Sequence, residues 1–275
     1  MQAAGRVVCL AHMGLLRLVT FDITNTIIRP RDVGLNYSNA AKMFGIFVNP
    51  EGVTNSFRKH IKKQDKQYPN YGFNHGMTSK QWWTRLVCDT FLDLNMNHDV
   101  KKLHQVADYL FEFYHKGEPY DIIPHSMEPL ERLREEHPYL KVGVISNFDE
   151  RLPAILDDLH LSKYFDFLVL SVKVGVCKPH QRIFQAALEM AGAKPADAVH
   201  VGDNIELDYL AARKVGMNAI VMAGKQMILD QRVEDLAQKC EFSGKNQDNN
   251  CSSPAMHHSS LELLYQISMY GTYYF

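Results

Sequence analysis

The sequence predicts an α/β protein, a parallel sheet with helices on both faces, interrupted by a block of helices. Three observations predict it. The run Leu15–Ile28 (LLRLVTFDITNTII) opens as an apolar strand through Leu15, Leu16, Leu18 and Val19, then ends in Asp22 and small polar residues. From about residue 120 onward, short apolar runs alternate with amphipathic helical segments, the pattern of parallel strands joined by right-handed crossovers. Between these, residues from about 35 to 119 are helical in period and poor in β-branched runs.

The first strand is apolar on both faces, as in the middle of a parallel sheet. A turn, RPRDVG (Arg29–Gly34), leads into the helical block. Tyr37–Phe44, Asn55–Lys63 and Lys80–Leu94 read as amphipathic helices, and Leu103, Val106, Ala107, Leu110, Phe113 and Tyr114 mark a fourth. The alternation that follows runs helix Met127–Glu136, strand Lys141–Ser146, helix Leu152–Leu159 and strand Phe165–Ser171. It continues with helix Gln181–Ala191, strand Ala198–Asp203, helix Leu207–Val215 and strand Asn218–Ala223. Pro153 is tolerable in the first turn of its helix, and Gly216 ends the last one. Leu15–Val19 must join this sheet, because alone it has nowhere to bury both faces. Val233–Gln238 and Leu261–Ile267 read as short helices, and Phe242–Ser260 as a polar, disordered loop. The organisation expected is therefore a core of residues 13–30 and 120–240, a helical insert of residues 31–119, and a variable, partly disordered tail of residues 241–275.

Composition narrows the function. Hydrophobic residues make up 46% of the 275 and charged residues 22%, with a formal net charge of −1. No field is available to gather nucleic acid or an anionic membrane, and no run approaches the ~18 apolar residues of a span. Neither nucleic acid nor membrane is expected as a partner, and no oligomeric state is assigned. The five cysteines (Cys9, Cys88, Cys177, Cys240, Cys251) form no C-x-x-C pair, which suits free thiols in a reducing compartment. The expected location is intracellular and cytoplasmic, with mitochondrion and nucleus as alternatives. The acid-free first twelve residues carry Arg6 and read as a loose N-terminus with translation from Met13, or else as a weak targeting arm.

The chemistry lies at four strand ends, which parallel strands bring to one edge. The first strand delivers Asp22 and the Thr24 backbone. KVGVIS delivers Ser146 and Asn147, the segment VCKPHQRIF delivers Lys178, and AVHVGD delivers Asp203, with Asp208 five residues on. Taken singly, a Ser-Asn pair reads as a helix cap, a Lys as a solvated charge and His200 as a satisfied core histidine. Taken together they suit phosphoryl transfer. Carboxylates without soft ligands make a hard oxygen site for Mg²⁺, and a hydroxyl, an amide and an ammonium hold phosphate oxygens. An Asp can also accept the phosphoryl group covalently.

These four motifs, FDITNTI, VISN, CKPHQRIF and VGDNIELD, resemble those of the haloacid dehalogenase-like hydrolase superfamily over residues 15–223. The segment Tyr68–Trp83 resembles one subgroup in particular. The resemblance implies a Rossmann-like parallel sheet with the helical insert as a cap. It also implies Asp22 as nucleophile, and Mg²⁺ held by Asp22, the Thr24 carbonyl and Asp203, with Asp208 in support. Ser146 and Lys178 would bind the transferring phosphoryl group of a small phosphorylated metabolite. One position departs. The family's phosphatases carry a second Asp two residues after the nucleophile, as general acid and then base, and here that residue is Thr24. The expected activity is thus a Mg²⁺-dependent phosphatase with a slow hydrolysis step, or alternatively a catalytically weak binding or regulatory protein. Asn25 and His180 are milder departures, since Asn tolerates left-handed geometry. Among the aromatics of the insert, Trp82 and Trp83 are expected to pack inside it, and Tyr71 and His75 to face the site.

Overall fold

The computed structural model describes residues 16–94, 99–124, 126–223 and 226–229. The expectations for the N-terminal arm, for Val233–Gln238, Phe242–Ser260 and Leu261–Ile267, and for Cys9, Cys240 and Cys251 fall outside these residues.

Six strands form one sheet: β1 (Leu18–Phe21), β4 (Lys141–Ser146), β5 (Phe167–Leu170), β6 (Ala198–Gly202), β7 (Asn218–Ala223) and β8 (Gln226–Leu229). Their order is β5-β4-β1-β6-β7-β8, all parallel except β8. β1 is central, in register with Val142 and Val199 on either side of Val19. Its alternation divides the core. Val19 and Phe21 join Val142, Val144, Val199 and Val201 on one face, while Leu18 joins Ile145, Val169, Phe184 and Ala219 on the other. Burial on both faces is why the strand carries no polar alternation. The helices α5 (Met127–Glu136), α6 (Leu152–Asp158) and α8 (Gln181–Ala191) stand close to their expected bounds. The strand expected over Phe165–Ser171 is shorter, because Ser171 opens a one-turn helix, α7 (Ser171–Val174). The helix expected over Leu207–Val215 starts earlier, as a π turn over Ile205–Leu210 that runs into α9 (Ala211–Lys214).

Four helices follow the first strand: α1 (Val33–Met43), α2 (Pro50–Gln67), α3 (Ser79–Leu92) and α4 (Val100–Phe113). They bury a core of their own around Tyr37, Val53, Val87, Phe91, Val106 and Leu110. The caps extend them beyond the periodic residues. Asn49 caps α2 with Pro50 at its first position, and Thr78 and Gln81 form a reciprocal capping box on α3. The turn expected over Arg29–Gly34 is corrected. Ile28–Pro30 is a strand, β2, paired antiparallel with β3 (Tyr120–Ile122), and Asp32 caps α1 from Val33. Three-residue strands carry no readable period, and Pro30 sits where only an edge strand accepts it. This ladder ties together the points where the chain leaves the sheet region and returns to it.

Candidate active site

Asp22 follows the central strand, and its N–H is held by Val201 O at 2.8 Å. The chain then turns sharply: the N–H groups of Ile27 and Ile28 donate to Ile23 O at 2.9 and 3.0 Å. The turn places Asn25 at φ +63°, a conformation that Asn tolerates where most residues do not. Thr26 returns its hydroxyl to Asp22 Oδ2 at 3.4 Å.

Four of the expected residues converge on Asp22. Ser146, at the end of β4, donates its hydroxyl to Asp22 Oδ1 at 3.3 Å. Lys178 Nζ donates to the same oxygen at 2.6 Å and to Asp208 Oδ1 at 2.6 Å. Asp22, Asp203 and Asp208 each present a carboxylate oxygen within 4.8 Å of the others. Asn147 is tied to the Lys178 backbone: its Nδ2 donates to Lys178 O at 3.1 Å and its Oδ1 accepts from Lys178 N at 2.7 Å. It therefore fixes the loop that delivers the ammonium. His180 caps α8 by accepting the N–H of Arg182 on Nδ1 at 3.1 Å.

The acidic turn is built tightly. Asn204 accepts the N–H groups of Glu206 and Leu207 on its side chain, and donates its own N–H to Asp208 Oδ2 at 3.0 Å. Gly202 is required here for space: a Cβ would lie 2.3 Å from Asp208 Cγ. His200 is fully buried, with Nε2 3.1 Å from Asp208 Oδ1 and Nδ1 2.9 Å from Thr20 Oγ1. It is a satisfied core histidine, and it also holds Asp208 in place.

The charges do not balance. Three carboxylates face Lys178, and even with His200 counted as a cation the carboxylates are in excess. Burial, then Asp22 and Asp208, push the Asp203 carboxyl up to about 6. Burial opposes the charge on Asp208, but His200 and Lys178 hold its carboxyl well below the usual range. Burial works against the Lys178 ammonium too, and Asp22 and Asp208 outweigh it, raising its pKa. An all-oxygen donor set with surplus buried anion fits a hard divalent cation.

Residues 16–216 match the model of a family described as haloacid dehalogenase-like hydrolase. The chain belongs to that family. Haloacid dehalogenase-like hydrolase domain-containing protein 3 of Homo sapiens is 37% identical over 231 residues, 84% of this chain and 90% of that protein. It represents the subgroup that Tyr68–Trp83 resembles. Among solved structures, the putative hydrolase YfnB from Bacillus subtilis, bound to magnesium, aligns with a TM-score of 0.57 at 15% identity, over 76% of this chain and 89% of that one. L-2-haloacid dehalogenase from Xanthobacter autotrophicus aligns with a TM-score of 0.57 at 18% identity, over 90% of this chain and 88% of that one. At such identities these two structures share the fold alone.

The aromatic expectations divide. Tyr71 faces the sheet edge and donates its hydroxyl to Asn147 O at 3.0 Å. His75 does not face the site; it stacks edge-on with Tyr68 and lines an open groove with Lys80, Arg85 and His104. Trp82 is buried as expected, with its indole N–H on Tyr68 O at 2.8 Å. Trp83 instead crosses to the sheet region and donates to Asp149 Oδ2 at 2.7 Å. The Asp149–Arg151 pair that receives it went unread in the sequence. A D-x-R spacing directly after the strand end Ser146-Asn147 is the signal that was available.

Proposed function

We propose that this protein is a Mg²⁺-dependent phosphatase that cleaves a small phosphorylated metabolite through a phosphoaspartate at Asp22. The observation that carries the proposal is the cluster of Asp22, Asp203 and Asp208 around one buried Lys178 at the carboxyl edge of the sheet. Asp22, Asp203 and the Thr24 carbonyl would hold the cation, with Asp208 behind them. When bound, the cation would neutralise phosphoryl charge and orient the group for in-line attack. The donor set favours this reading over dehalogenation, which needs no cluster of carboxylates to hold a metal.

In the first step an Asp22 oxygen attacks phosphorus and the ester P–O bond breaks. Ser146 and Lys178 steady the equatorial oxygens. The departing alkoxide takes its proton from water, because a Thr hydroxyl at position 24 is no acid near neutral pH. In the second step water attacks the phosphoaspartate, its proton leaves with phosphate, and the Asp22 carboxylate is restored. We propose that the helical insert, residues 31–119, is the cap that covers these steps and keeps bulk water from the intermediate. The reading goes with an intracellular, cytoplasmic setting, in which Cys88 and Cys177 stand as free thiols. Among the described residues no helix is long and apolar enough to cross a membrane.

Thr24 favours the second reading, a weakly catalytic protein that binds rather than turns over. The experiment that separates the two is Thr24→Asp. General acid–base help is worth about 10²–10⁴-fold, so steady-state phosphate release in the presence of Mg²⁺ is expected to rise at least ~10-fold. An unchanged rate means either that another group already moves the proton or that catalysis is not what the site does.

A further inference from the structure

A cavity of about 290 Å³ lies between the helical insert and the carboxyl edge of the sheet. Thr24 and Asn147 are in its wall, two residues past Asp22 and one past Ser146, so it sits where a departing group would go. The rest of the wall is mostly apolar, with Phe57, Val87, Ala107, Leu110, Phe111 and Phe148 among it.

Among the described residues Arg151 is the one charged residue in this wall, and its charge is already spent. Its Nε and Nη2 donate to the two oxygens of Asp149 at 2.9 and 2.7 Å, and both residues are buried. Trp83 and Phe111 lie against the guanidinium at 4.9 and 4.6 Å. Several of the polar tips are engaged as well. Tyr71 donates to Asn147 O, Tyr120 to Tyr114 O, and Trp83 to Asp149, while Tyr114 accepts from Asn36. Three hydroxyls of the wall are left to donate: those of Tyr37 and Thr24 make no hydrogen bond among the described residues, and that of Tyr114 only accepts. A sugar or nucleotide would bring more hydroxyls or charges against this wall than it can meet, and the surplus would be left unpaired at a cost. A ring would bury its surface against aromatic side chains.

We propose that the cavity receives the leaving group, and that the substrate is a phosphate monoester of an uncharged, ring-bearing, mostly apolar alcohol, whose few hydrogen-bonding groups the hydroxyls of Tyr37, Tyr114 and Thr24 meet. This rests on the phosphatase reading above and adds the substrate class. The volume lies near the lower end of the usual ligand-pocket range, roughly 300–1,000 Å³, which admits one ring with short substituents.

Benzyl phosphate and glycerol 3-phosphate both have poor alkoxide leaving groups, so intrinsic reactivity does not decide between them. With Mg²⁺, benzyl phosphate is expected to have the higher kcat/KM by about 50-fold, the order expected from burying one ring. Benzylphosphonate, which is not cleaved, is expected to bind more tightly than methylphosphonate by a similar factor in calorimetry. Ala107→Leu, which fills part of the cavity, is expected to reduce both ratios at least ~5-fold, with thermal unfolding checked to show that the variant is folded. If glycerol 3-phosphate, or a carboxylate-bearing ester such as phosphoglycolate, matches benzyl phosphate while Asp22→Asn abolishes hydrolysis, the substrate class is wrong and the phosphatase reading stands. If no ester is cleaved yet benzylphosphonate keeps its advantage, the cavity assignment stands and the phosphatase reading fails.

Discussion

Asp22→Asn is expected to abolish Mg²⁺-stimulated phosphate release, with a loss of roughly 10⁴-fold or more, the order seen when a covalent nucleophile is removed. The amide keeps the size of the carboxylate; its one oxygen still accepts from Ser146, and its NH2 donates to the Thr26 hydroxyl in place of the bond it loses, so the local turn survives. What it loses is the anionic oxygen that attacks phosphorus and one of the two carboxylates that pair directly with Lys178. The check is a side-by-side assay of both proteins purified identically. Release that continues in the variant belongs to a contaminant or to a different nucleophile, and the covalent route through Asp22 is then discarded.

Lys178→Met has the second large expected effect, and it acts on stability as well as on rate. The ammonium bridges Asp22 and Asp208 at 2.6 Å each and is almost wholly buried. Removing it leaves two buried carboxylates without their shared cation. Breaking a buried pair from one side costs about 3–5 kcal/mol, which denaturant unfolding measures directly. The rate is expected to fall by about 10²–10³-fold, as when one donor to a developing oxyanion is lost. Lys178→Arg is not expected to rescue it, because the planar fork does not fit a site shaped around a point charge. A stable, active Lys178→Met would mean that the ammonium serves neither role.

The candidate site residues Asp22, Ser146 and Asp203 were legible because each follows a buried strand, and burial on both faces leaves a plain apolar signature. Val19, Val144 and Val201 fix three neighbouring strands, and the polar residue after each then falls on one edge. The cap-side geometry was not legible for the opposite reason. Asn70, Tyr71 and Gly72 stand in succession at φ +52°, +56° and +72°, and nothing about the middle residue, Tyr71, announces such a conformation. That strap aims Tyr71 at Asn147, and Asn70 donates its amide to Ser171 O at 3.0 Å. Both contacts join residues far apart in sequence, which local periodicity does not encode. Trp83 was misplaced for a related reason: its neighbour Trp82 fills the buried face of α3, and a helix turn of 100° per residue sends Trp83 toward Asp149 instead. The β2–β3 ladder was missed because three residues are too few to alternate.

The central claim is that Asp22 is a phosphoryl acceptor poised beside a divalent-cation site. Beryllium fluoride tests it without knowledge of the substrate, because it caps a nucleophilic carboxylate as a tetrahedral mimic of an acyl phosphate. Fluorine NMR of the protein with beryllium fluoride and Mg²⁺ is expected to show bound resonances that vanish when Mg²⁺ is chelated and are absent from Asp22→Asn. Bound resonances that persist in Asp22→Asn, or none in the folded wild-type protein, would contradict the claim.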